Sequence, residues 1–165
     1  MTTPDLREAR FLLKRRARQP FEQWEKARAA VEEAWRGGAE VLSDRLARLE
    51  EQTRSLARDP KVARTPRARE GLDRALDARR QECDAIRDSP ELRRHHDARA
   101  AELAARTELA SAAPYEWREY EARLARLRRS YPRQWDEYET KERSAGRDPL
   151  GPWDGKPLQS AGANG

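Results

Sequence analysis

Along residues 20–58, apolar side chains return every seven positions. Phe21, Trp35, Leu42, Leu49 and Leu56 share one register, in which Arg28 is the only polar member. A second register, offset by three, holds Trp24, Val31 and Gly38, then steps by one residue to Ala39, Leu46 and Thr53. A sustained seven-residue apolar repeat marks helices packed side by side, whereas strands alternate with a period of two. A continuous helix over 20–58 would be about 58 Å long at ~1.5 Å per residue. Gly37 and Gly38 fall in its middle and weaken it by roughly 1 kcal/mol each relative to Ala. The pair therefore predicts a kink, close approach of a partner helix, or a dividing loop.

The pattern recurs with different strength elsewhere. The first helix sets Leu6, Ala9 and Leu13 on one side. Residues 66–88 carry Leu72, Leu76, Cys83 and Ile86, and residues 90–112 only Leu92, Leu103 and Leu109 among alanines. In 114–143, Trp117, Leu124, Tyr131 and Tyr138 lie seven apart, and Tyr120 and Leu127 fill the second position. Proline punctuates these runs. Thr3-Pro4, Thr65-Pro66 and Ser89-Pro90 place a capping residue before a proline at the first helical position, where its missing N–H costs nothing. Gln19-Pro20 and Ala113-Pro114 have the same form with weaker caps.

Together these signals predict an all-α fold. It is an elongated helical bundle of coiled-coil-like antiparallel helices over residues 1–145, in five segments: 4–18, 20–58, 66–88, 90–112 and 114–143. The rich seams suggest the first long helix packed on the last, with the Ala-rich pair alongside. Pro114, Trp117 and Tyr120 are echoed by Pro132, Trp135 and Tyr138, and more loosely by Pro20 and Trp24. Pro132 argues for a break, yet the heptad register runs through it, so a kink and a new start both stay open. Residues 146–165 hold five of the eight Gly and three of the ten Pro without periodicity, which predicts a flexible Gly/Pro-rich tail.

Composition sharpens this picture. Of the 165 residues, 36% are hydrophobic and 39% charged, against a usual charged share of ~25%. A narrow apolar seam suits that balance better than a thick core. Five Trp and four Tyr, most at helical spacing, separate the chain from a disordered polyelectrolyte. The net charge of +5 rests on 35 basic and 30 acidic residues, a mixed surface typical of salt-bridged helices. Only five of the basic residues are Lys; the Arg and Ala abundance fits the coding bias of a GC-rich genome.

Candidate chemistry is sparse. Cys83 is the only cysteine, which excludes an intrachain disulfide and a cysteine metal cluster, and it sits on an apolar register as a small buried hydrophobe. Adjacent His95 and His96 point about 100° apart on a helix and do not chelate as an i, i+4 pair does, so solvent-facing histidines are expected. Glycine-rich phosphate loops, nucleophile turns and paired acid–base signatures are absent. No catalytic residue, cofactor or metal ligand is expected. No apolar run reaches the ~18 residues of a membrane span, so the expectation is a soluble cytoplasmic chain without membrane contact.

Three basic clusters stand out. Lys14, Arg15, Arg16 and Arg18 close the first helix, and Arg58, Lys61, Arg64, Arg67 and Arg69 surround a connection. Arg123, Arg126, Arg128, Arg129 and Arg133 form a run without an acid. Such clusters follow phosphates, or pair with acids on neighbouring helices. Trp153, between Pro152 and Asp154, is a candidate docking residue of the tail. The leading expectation is a non-enzymatic protein–protein interaction or assembly protein that self-associates through its heptad seams. The alternative is a small basic nucleic-acid-binding accessory protein of a GC-rich bacterium, plasmid or phage.

Overall fold

The computed structural model describes residues 4–58 and 64–150. These form seven α-helices: α1 (Pro4–Arg16), α2 (Arg18–Ala34), α3 (Glu40–Arg58), α4 (Pro66–Arg87), α5 (Pro90–Ala112), α6 (Pro114–Ser130) and α7 (Pro132–Ser144). A π-helical turn, Trp35–Ala39, joins α2 to α3. No strand occurs among the described residues, so the all-α bundle stands.

Helices α1, α2 and α3 form one arm, and α4, α5 and α6 return beside it. α3 packs on α4, α2 on α5 and α1 on α6. Polar contacts show the antiparallel sense: Arg45 meets Glu82, Trp24 meets Glu102, Arg16 reaches Glu116 and Glu8 reaches Arg123. Numbers rise along one arm as they fall along the other. α7 then folds back until its Glu142 meets Arg28 of α2.

This arrangement corrects the expected packing. The longest contact of the first arm is made by α2 with the Ala-rich α5, not with the last helix. Small side chains let two helix backbones approach closely. α5 also touches α3, α4, α6 and the π turn, so its surroundings differ all around its axis and it shows no single apolar stripe.

Three single residues bend the helices. Ala17, Ala113 and Tyr131 have nearly the same backbone angles, φ/ψ −138/67°, −135/65° and −133/69°. At each bend the residue's N–H donates to the carbonyl four before it, and its carbonyl accepts from the N–H four after it. The bend residue thus closes one helix with its N–H and opens the next with its carbonyl, no backbone bond spans it, and no side chain caps it. Ala113 and Tyr131 precede prolines, which disfavour the helical region at the residue before them. Pro20 lies in the first turn of α2, where its ring crowds the carbonyl of Arg16 and places the bend at Ala17 rather than at Gln19. Pro132 therefore starts a new helix. The heptad continuity through it is accidental: Tyr131 is 49% exposed, whereas Trp135 is buried.

The one-residue register step at Gly38 has a physical counterpart. The N–H of Glu40 donates to the carbonyl of Trp35, an i to i−5 bond that accommodates one extra residue. Gly38 sits at φ 132°, ψ −22°, a region that favours glycine. A Cβ there would come within 3.0 Å of Glu91 Cγ on α5, so the kink is also a close approach.

Two apolar clusters result. The larger joins α1, α2, α5, α6 and α7 around Trp24, which is 1% exposed. Trp24 meets Phe21, Trp117 and Tyr120 edge-on at centroid distances of 5.6, 5.8 and 6.2 Å. The smaller consists of Leu46, Cys83 and Ile86, with Leu42, Leu49 and Leu92 packed partly buried against it. Thr65 caps α4 by accepting from the N–H of Ala68 at 3.1 Å. Ser89 precedes α5 without such a bond.

The first five residues of the expected tail are an exception to it. Residues 146–150 lie against the bundle, with Leu150 only 2% exposed in the larger cluster. Residues 151–165, which carry Trp153, lie outside the described residues.

Candidate functional site

Charges that composition assigns to the surface enter the interior of the bundle. Arg28, the polar member of the first heptad register, has its guanidinium 5.1 Å above the Trp24 ring and donates to Glu142 at 2.5 Å. Glu142 is 4% exposed and also accepts from Arg147 Nε at 2.9 Å. Arg147 in turn donates to Glu32 at 3.1 Å. The four groups tie α2, α7 and the segment after α7 together. Breaking such a pair from one side costs about 3–5 kcal/mol, because the remaining charge stays buried.

A second polar contact lies between α2 and α5. Trp24 Nε1–H donates to Glu102, which is 6% exposed, at 2.9 Å. Arg106, one turn further along α5, is 3% exposed, and its Nε has no hydrogen-bond partner.

The segment after α7 closes against Trp35 and His95. His95 corrects an expectation. It does not face solvent: it is 6% exposed, lies 4.9 Å from the Trp35 ring, and its Nε2–H donates to the Gly146 carbonyl at 2.9 Å. Burial lowers its pKa below the usual histidine value, opposed by the Gly146 bond and assisted by Arg99 and His96. Gly146 has φ 75°, and a Cβ there would lie 2.3 Å from Trp35 Cγ. Only glycine fits this position.

Arg10 is the third feature. It lies on the buried side of α1, and its one hydrogen bond is a long 3.5 Å contact to the Tyr120 hydroxyl. Among the described residues no carboxylate lies within ion-pair distance of it, and Glu142 acts on it from further away. It lines a cleft of about 370 Å³ between α1, α2 and α7, and an adjoining cavity of about 220 Å³ between α1, α6 and α7.

The basic clusters are not brought together. Lys14, Arg15, Arg16 and Arg18 are exposed at the Ala17 bend, whereas Arg126, Arg128, Arg129 and Arg133 are exposed at the other end of the α1–α6 pair. Several are already paired: Arg16 with Glu116 at 3.9 Å, Arg18 with Glu22 at 3.1 Å, and Arg123 with Glu8 at 3.3 Å and Glu119 at 3.2 Å. Arg128 lies 5.6 Å over the Trp135 ring. Around the connection, Lys61 lies outside the described residues.

Among the described residues no cluster of three His, Cys, Asp or Glu side chains is placed to hold a metal ion. Among the described residues no helix is long and apolar enough to cross a membrane. Comparison with known proteins gives no match to any family model, curated protein or solved structure.

Proposed function

We propose that this chain is a non-enzymatic assembly protein whose α3–α4 hairpin pairs with a second copy of itself. The observation that carries this reading is the uneven covering of the two ends. The α1–α2–α5–α6–α7 end encloses a multi-helix core, whereas the α3–α4 end is two helices deep. Its seam residues Leu42, Leu49, Leu56 and Leu72 are only partly buried, and Val41 is 68% exposed.

The 19 residues of α3 give a face about 28 Å long, and two helices are about 20 Å wide. That area approaches the roughly 600–1,000 Å² per partner of a stable interface. Its charge is nearly balanced: α3 carries four acidic and four basic residues, α4 five and six. A balanced face suits a copy of itself better than a polyanion. In a four-helix arrangement the heptad register of α3 would become a coiled-coil-like seam.

The nucleic-acid reading keeps one observation in its favour. Phe11, 62% exposed, shares an outer stripe of α1 with Arg7, Lys14 and Arg15, and Arg18 follows just beyond the Ala17 bend. Light scattering at micromolar concentration decides between the two. The assembly reading expects a dimer or larger that Leu49→Asp returns to monomer with helicity retained. A wild-type monomer refutes it. Submicromolar DNA binding that weakens steeply with salt and is lost on replacing Lys14, Arg15, Arg16 and Arg18 with Ala supports the rival.

A further inference from the structure

The cleft between α1, α2 and α7 has more cations than anions committed to them. Arg28, Arg147 and Arg10 line it together with Lys141. Glu142 is engaged by Arg28 and Arg147, and Glu32 by Arg147 and Arg36. Glu25 stands exposed on the rim. Arg10 and Lys141 stand in no ion pair among the described residues, although Glu142 acts on Arg10 at longer range; both also line the adjoining cavity, whose wall includes Tyr138 and Glu137. Arg10 is largely enclosed, its Nε has no partner, and its guanidinium lies 6.0 Å from the Tyr120 ring centroid.

A guanidinium taken out of water without a carboxylate is strongly unfavourable. Proteins that keep one in a cleft use its planar fork for a carboxylate or phosphate group. We propose that this cleft binds a small oxyanion, a phosphate or carboxylate group, between Arg10 and Lys141. The volume of about 370 Å³ is at the lower end of ligand-binding pockets, which run from about 300 to 1,000 Å³. Arg28 and Arg147, already neutralised by Glu142 and Glu32, form a fixed wall beside the site. The site lies away from the α3–α4 hairpin, so it stands or falls independently of self-association.

The test is thermal unfolding of the full chain while sodium phosphate or sodium acetate replaces sodium chloride at constant ionic strength. A ligand that binds only the folded chain raises the midpoint along RT ln(1 + [L]/Kd). Wild type is expected to show a saturable rise. A response to phosphate alone assigns a phosphate-bearing ligand, one to acetate alone a carboxylate, and one to both the shared charge. Arg10→Met is expected to lose the response while keeping its helicity. Lys141→Gln, at an exposed position, carries the test if Arg10→Met does not fold. It is expected to weaken apparent affinity about tenfold, the loss of one charge-assisted hydrogen bond. No response to either anion in wild type, or a wild-type response in Lys141→Gln, overturns the proposal.

Discussion

Gly146→Ala is the sharpest perturbation the fold offers. The residue sits at φ 75°, and the new Cβ would meet Trp35 Cγ, Cβ and Cδ2 at 2.3, 2.4 and 2.7 Å. Holding Ala in the left-handed region costs about 1–2 kcal/mol. Relieving the overlap requires displacement by about an ångström in a packed region, for which overpacking costs of about 1–3 kcal/mol are typical. The sum, about 2–5 kcal/mol, has a ceiling, because the segment 145–150 can undock instead. Undocking gives up the burial of Leu150, about 1.5–3 kcal/mol, together with the His95–Gly146 bond. We therefore expect a loss of about 2–4 kcal/mol in urea unfolding followed by circular dichroism, with a red shift of tryptophan emission as Trp35 gains water. Gly37→Ala is the internal control. A Cβ at Gly37 has nothing within 4 Å, so that variant is expected to hold or gain stability. A Gly146→Ala variant within about 0.5 kcal/mol of wild type, a typical surface effect, would refute the reasoning.

Glu142→Gln leaves Arg28 enclosed without a carboxylate while Arg147 keeps Glu32. We expect a loss of about 3–5 kcal/mol, mostly recovered in an Arg28→Met, Glu142→Leu pair, and a loss under about 1 kcal/mol would show that solvent already screens the contact. His95 has its folded pKa below the unfolded value because of burial, so the unfolded chain binds the proton first. Its contribution is complete above about pH 6.5 and is lost as pH falls through the lower folded value. Unfolding midpoints compared between pH 7 and 5 are expected to fall more for wild type than for His95→Gln, which retains an N–H donor for Gly146; parallel profiles would exclude the effect.

Much of this arrangement is readable before folding, and particular residues show where reading stops. The single arginine among Phe21, Trp35 and Leu42 marks the place where the interior takes up charge. The step from Gly38 to Ala39 marks the π turn. Arg10 has a comparable signal, since it falls with Leu6 and Leu13 at i, i+4 and i+7, but a reading by charge alone merges it with its exposed neighbours. α5 resists because its periodicity is erased: several helices surround it, and His95, Glu102 and Arg106 occupy positions where an apolar stripe would otherwise announce burial. The bends at Ala17 and Tyr131 are blurred for a different reason. One residue ends the first helix and begins the next, so no side-chain cap marks them.

The bends also set how the chain can change in length. Ala17 and Ala113 lie at the same level of the two arms, where Arg16 reaches across to Glu116. Adding one residue to either arm between its bend and the connecting turn would shift the two elbows past each other. It would also rotate everything beyond the insertion by about 100°. The π turn is one such insertion, made tolerable by a glycine in a conformation other residues avoid. Insertions and deletions in natural variants of this chain should therefore be rare inside the helical arms. Within the arms they should come in compensating pairs, one on each side of the hairpin, like links taken from both halves of a folded rule.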